Sequence, residues 1–229
     1  MRATAADYGR RMRALGLTMS FAPVADLAVR GYYIDNLGRA FAADPGVAAR
    51  KVRAWRTGLQ DAGVVPVMKH WPGHGGARDS HTRPARVAGL TELEKRDMVP
   101  FDHEFERGVP MVMVGHLQSA GLTERGTPAS QSPGAMAYLR EKAGPQTVIV
   151  TDSLSMAAAS SSLGISERTA AVRALRAGAD WALVCSSNTA AVVDAIRSAI
   201  ASGRLPRAQA ITSVRRILEL KLRAGLLQR

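Results

Sequence analysis

The chain has 229 residues, a formal net charge of +12 and 46% hydrophobic residues. That length is enough to bury one full core. No stretch reaches the roughly eighteen apolar residues of a membrane-spanning helix, and the lone Cys185 excludes an internal disulfide. Met1-Arg2-Ala3-Thr4 lacks the apolar segment of a signal peptide, and the compartment stays open.

Most of the basic residues are arginines spread along predicted helices, such as Arg10, Arg11, Arg13, Arg50, Arg53 and Arg56. They are not interleaved with aromatics, and there is no long basic block. This pattern reads as solvated helix faces, with no nucleic-acid partner.

A helix is expected over 3–15, followed by a strand over 17–24. Asp44-Pro45 supplies a cap and a first-turn proline for a helix running to Gly63. A buried strand over 64–68 follows. Thr91-Glu92-Leu93-Glu94 reads as a capping box. A third strand is expected over 110–114. Ser132-Pro133 opens a helix that ends at Gly144-Pro145, and a fourth strand covers 147–150. A helix from Ser166 to Ala177 is closed by Gly178; a fifth strand spans 181–184; helices over 189–202 and 207–224 finish the chain.

Uninterrupted apolar strands alternating with helices mean a parallel α/β fold. Phe21-Ala22-Pro23-Val24-Ala25-Asp26 stands where a doubly wound dinucleotide fold would carry its glycine-rich turn. A TIM-type (β/α) barrel is therefore expected. A barrel needs eight strands, and five are visible. The expectation is an incomplete barrel made of about the last five strand–helix units, with 1–229 as one partial barrel domain.

Residues 69–81 carry three of the five histidines, His70, His74 and His81, with Lys69, Asp79 and three glycines. Polar groups recur where the strands end: Asp26, then Lys69 and His70, then His116, then Asp152. In a barrel these ends share one rim, where catalytic groups collect. Asp152 reads either as a helix cap or as a carboxylate able to attack an anomeric carbon. A turn at Asp79-Ser80-His81 would let Asp79 orient the His81 imidazole for proton transfer. Lys69 fits a Schiff-base lysine or a hydroxyl-binding donor, and Arg39 fits a second donor. His116 either lines the pocket or satisfies buried groups. The spacing of the three histidines does not give helical presentation to a metal. Cys185 reads as an inert buried thiol.

These segments together resemble the single-domain β-N-acetylhexosaminidases of glycoside hydrolase family 3, which act on peptidoglycan fragments. The resemblance runs through Phe21–Asp26, Gly38-Arg39-Ala40-Phe41 with Asp44-Pro45, and Lys69-His70-Trp71-Pro72-Gly73-His74-Gly75. It continues through Asp79-Ser80-His81, Met113-Val114-Gly115-His116, Pro128–Pro133 and Thr151-Asp152-Ser153-Leu154-Ser155-Met156. It implies that Asp152 is the nucleophile, His81 the general acid/base and Asp79 its partner. It places Arg39, Lys69 and His70 on sugar hydroxyls. The implied chemistry removes terminal β-linked N-acetylglucosamine with retention and needs no metal or organic cofactor.

Two departures stand out. The family's first strands, with their Asp-x-Glu-Gly-Gly segment, are not seen, so the chain is expected to begin at about the fourth strand of the barrel. The Gly76-Ala77-Arg78 spacer is about one residue short. A catalytically inactive barrel fragment or carbohydrate-binding remnant is the alternative reading. A phosphorylase variant of the same chemistry also remains open.

Overall fold

The computed structural model describes residues 1–185 and 189–227. In chain order the elements are α1 (Arg2–Ala14), β1 (Met19–Ser20), α2 (Tyr33–Asn36), α3 (Pro45–Asp61), β2 (Val65–Trp71), β3 (Ala85–Arg86), α4 (Leu90–Lys95), α5 (Val99–Phe105), β4 (Met111–Val114), β5 (Leu117–Gln118), α6 (Pro133–Ala143), β6 (Val148–Thr151), α7 (Glu167–Ala177), α8 (Thr189–Ala201) and α9 (Arg207–Arg223). No helix among the described residues is long and apolar enough to cross a membrane.

The main sheet is parallel, with strand order β1-β2-β4-β6. A doubly wound sheet reverses direction at a switch point. Here the order simply follows the chain, as in an arc of a (β/α) barrel. The expected fifth strand is reduced to one bridge, Val150 to Trp181. The 181–184 run nonetheless lies along β6, because the Thr151 amide donates to the Trp181 carbonyl and the Leu154 amide to the Leu183 carbonyl. The expected first strand is shorter too: it is Met19–Ser20 with a separate bridge from Val24 to Lys69. Between these two pairings sits Pro23, which has no N–H to give to a ladder.

Both faces of the sheet are covered, which explains the continuous apolar runs. Val65, Val67, Met111, Met113, Val148 and Val150 point one way and cluster with Leu220 of α9. Met68, Val112, Val114 and Ile149 point the other way and pack with Val52 of α3, Phe101 of α5, and Met136 and Leu139 of α6. At the N-terminal end of β6, buried Asp180 accepts from Arg140 of α6 at 2.6 Å, Arg216 of α9 at 2.8 Å and the Ile149 amide at 2.9 Å. This cluster ties two helices to the strand at the end opposite the rim that carries Asp152.

The helix caps follow local chemistry. The side chains of Asp44, Ser132 and Ser166 accept from Val47, Ala135 and Thr169 amides respectively. The capping box expected at Thr91 is not formed. α4 starts two residues earlier than that box requires, Gly89 takes the cap position with no side-chain bond, and Thr91 lies inside the helix. Cys185, expected to be buried, is exposed.

Candidate active site

The rim is built around one carboxylate. Asp26 follows the Val24 bridge and is fully buried. Its Oδ2 lies 2.6 Å from His70 Nδ1, and its Oδ1 accepts the His70 amide at 3.1 Å and the His74 amide at 2.7 Å. Burial pushes the Asp26 carboxyl up, but the His70 imidazole and the surrounding donors outweigh it and hold it below the usual carboxylate value. Asp26 thus fixes His70 Nδ1 as a donor and leaves Nε2 facing the cleft. There Nε2 sits 3.5 Å from the Arg39 guanidinium and 3.9 Å from Asp152 Oδ2.

Lys69 and His70 lie inside β2, near its end, and not just beyond it as the apolar run suggested. The Lys69–His70 peptide is cis, and the ladder to β4 shifts register between Met68 and Trp71. Gly73 and Gly75 are required by close packing. Gly73 has φ +122°, and a Cβ there would meet Asp97 Cβ at 2.6 Å; one on Gly75 would meet the Leu27 carbonyl at 2.5 Å. Lys69 is held below its ordinary value, first by burial and then by Arg39, against the pull of Asp152 and Asp26.

Asp152 stands one residue past β6, and its amide donates to the Val114 carbonyl at 2.9 Å. Its Oδ1 accepts the Ser153 amide at 2.8 Å. Burial raises its pKa, but His70, His116, the Ser153 amide and Lys69 together bring it below the ordinary carboxylate value. An ionised, partly dry carboxylate at the mouth of a sheet suits nucleophilic attack. His116 is buried with both nitrogens engaged, Nδ1 with Ser130 Oγ at 2.7 Å and Nε2 with the Ser153 carbonyl at 2.9 Å. It braces the Asp152 loop and has no nitrogen left for a sugar hydroxyl.

His81 and Asp79 form the expected pair. Asp79 Oδ1 lies 2.6 Å from His81 Nδ1 and also accepts the His81 amide at 2.9 Å. Partial burial opposes the Asp79 charge, but the His81 amide and imidazole outweigh it and lower its pKa. With Nδ1 turned to Asp79, Nε2 has no hydrogen-bond partner among the described residues. The loop is seated against the segment after Asp152: the Ala157 amide donates to the His81 carbonyl at 2.9 Å. The Tyr33 ring packs 5.7 Å from His81 and 5.9 Å from His74. Among the described residues, no group of three or more histidine, cysteine or carboxylate side chains is arranged to hold a metal ion.

The comparisons with known proteins place the chain in a family. The model of the glycosyl hydrolase family 3 N-terminal domain matches residues 1–220. The chain belongs to glycosyl hydrolase family 3. Its fold is the TIM-type barrel of that family, and the described strands form part of one. The chain is 40% identical over 229 residues to the β-hexosaminidase LpqI of Mycobacterium tuberculosis, covering 96% of this chain and 58% of that protein. It is 36% identical over 196 residues to a β-hexosaminidase of Methylococcus capsulatus, covering 83% of this chain and 57% of the relative. The chain therefore spans a little over half the length of these curated relatives. Among solved structures, a family 3 β-N-acetylglucosaminidase from Paenibacillus superposes with a TM-score of 0.92 at 33% identity, over 98% of this chain and 43% of that one.

Some site residues were not assigned a role from the sequence. Asp26 stood out as a strand-end carboxylate, but its grip on both His70 and His74 needed the fold. Tyr33 opens the short α2 and Ser130 lies in the Pro128–Pro133 segment, but nothing in the sequence says which histidine each one meets.

The buried histidines predict an acid-sensitive fold. Burial holds His74 and His116 below the ordinary imidazole value. The unfolded chain takes up protons at these positions near pH ~6.5, while the folded protein does not. The unfolded state then binds more protons, so stability falls as pH drops through that window. The thermal midpoint should decline between about pH 7 and pH 6, and His116→Gln should reduce that decline. Calorimetry showing equal pH slopes for the parent and the variant would contradict this reading of His116.

Proposed function

We propose that the protein is a retaining β-N-acetylhexosaminidase that removes terminal β-linked N-acetylglucosamine from peptidoglycan-derived or related glycans. Asp152 attacks the anomeric carbon while His81 Nε2 protonates the departing oxygen. The glycosidic C–O bond breaks as the Asp152–carbon bond forms. Water then attacks that carbon, His81 takes its proton, and Asp152 leaves as a carboxylate. Asp79 orients His81, and Arg39, Lys69 and His70 bind the sugar's hydroxyls.

The observation that carries this reading is the pairing of two separate groups on one rim. An ionised Asp152 beside His70 sits at a strand end, and an Asp79–His81 pair sits on a loop hydrogen-bonded to the segment following Asp152. The names of the relatives, β-hexosaminidase and β-N-acetylglucosaminidase, support the sugar. The test is hydrolysis of an aryl β-N-acetylglucosaminide followed by proton NMR. The β-anomer of free N-acetylglucosamine should appear first and then mutarotate. An α-anomer formed first would rule out a covalent Asp152 intermediate, and no release of sugar would rule out the activity.

A further inference from the structure

The acid/base pair reaches the rest of the site through two residues that take no part in the proposed chemistry. His74 is 3% exposed and Ser80 is 2% exposed. His74 Nε2 lies 3.2 Å from Ser80 Oγ. His74 is anchored in turn, because its amide donates to Asp26 at 2.7 Å. Ser80 sits between Asp79 and His81, so whatever holds Ser80 holds both members of the pair. Its carbonyl accepts the Ala158 amide at 3.4 Å, a long bond next to the shorter one from Ala157 to His81.

The ring has a defined orientation. His74 Nδ1 is buried without a hydrogen-bond partner. A neutral imidazole carries one N–H and one lone pair. A buried N–H with no acceptor costs more than the weaker loss of an unfilled lone pair. The favoured tautomer therefore puts the proton on Nε2, where it donates to Ser80 Oγ. The Tyr33 ring packs against both His74 and His81 and so bridges the anchor and the loop.

We propose that the His74–Ser80 hydrogen bond is the clasp that seats the acid/base loop, making His74 and Ser80 positioning residues for His81. The catalytic consequence rests on the glycosidase reading; the clasp itself does not. The nearby His74 could otherwise be taken for an alternative acid/base, but its burial and its bond to Ser80 withhold it from a substrate oxygen.

The test has one arm that needs no catalysis. Arg78, at the start of the loop, is exposed, so tryptic nicking after Arg78 reports release of the loop. Ser80→Ala should nick about three- to tenfold faster than the parent, the equivalent of one lost hydrogen bond. His74→Phe keeps a ring but removes Nε2 and should behave alike. The double variant should be no worse than either single one, since both remove the same bond. Ser80→Thr, which keeps the hydroxyl, should return nicking toward the parent rate. Equal nicking in the parent and Ser80→Ala would overturn the clasp.

The second arm compares substrates. In Ser80→Ala, kcat/KM for a disaccharide with a poor leaving group should fall about tenfold, and that for an activated aryl glycoside about twofold or less. An equal fall for both would mean a general structural role and overturn the positioning assignment. If the parent hydrolyses neither substrate but Ser80→Ala still frees the loop, the glycosidase reading fails and the clasp stands.

Discussion

Asp152→Asn should reduce turnover of an aryl β-N-acetylglucosaminide by about a thousandfold or more, because no covalent intermediate can form without a carboxylate. The substitution is nearly isosteric. The Asn side-chain oxygen can still accept the Ser153 amide that Oδ1 now accepts at 2.8 Å, and the backbone bond from residue 152 to Val114 is untouched. Loss of activity with an unchanged thermal midpoint would therefore report chemistry and not folding. The charge matters as well as the atom. His70 and Lys69 help hold Asp152 ionised, and a neutral amide cannot offset developing positive charge on the sugar. Activity within a few-fold of the parent would remove Asp152 from the nucleophile's role.

The second large effect separates two roles for His81. Protonation of the leaving oxygen is needed most when that oxygen is a poor leaving group. His81→Ala should lower kcat/KM for a natural disaccharide by about a hundredfold or more, and change that for an activated phenol far less. With the activated substrate the second step lacks its base, so glycosyl-enzyme should accumulate. Added azide, which needs no deprotonation, should then restore turnover and yield a β-glycosyl azide. Asp79→Ala should show the same split more weakly, because in the proposed mechanism Asp79 acts only through its 2.6 Å contact with the imidazole. Equal losses on both substrates, with no effect of azide, would make His81 a binding or structural residue.

Much of the fold is legible in the chain because its signals are local. Ser132-Pro133 and Ser166 mark helix starts by side-chain bonds to amides three residues on, and the runs at 64–68, 110–114 and 147–150 are apolar because both faces of the sheet are covered. The misreadings come from competition that only tertiary structure decides. Thr91 fits a capping box, yet Leu90 enters α4 and its amide bonds to the Ala120 carbonyl, so Gly89 becomes the cap. The 181–184 run has strand composition but only one regular bridge, because the Leu183 amide donates to the Thr151 hydroxyl and not to a backbone carbonyl. At the site, Asp152, His70 and the Asp79–His81 pair were readable as motifs. What His116 does was not, because its partners Ser130 and Ser153 come from two other loops.

The Asp26 carboxylate bears on how this site can be altered. One oxygen atom receives the amides of both His70 and His74. One of those residues leads to Asp152 and the other to the loop of His81. The two halves of the cleft therefore share a footing, and a change at Asp26 displaces both together. In the proposed mechanism, substitutions near Asp152 and in the His81 loop will then not combine as independent increments, although the altered groups never touch. An engineer tuning the leaving-group side would also be retuning the sugar side, and specificity for the two would drift in step.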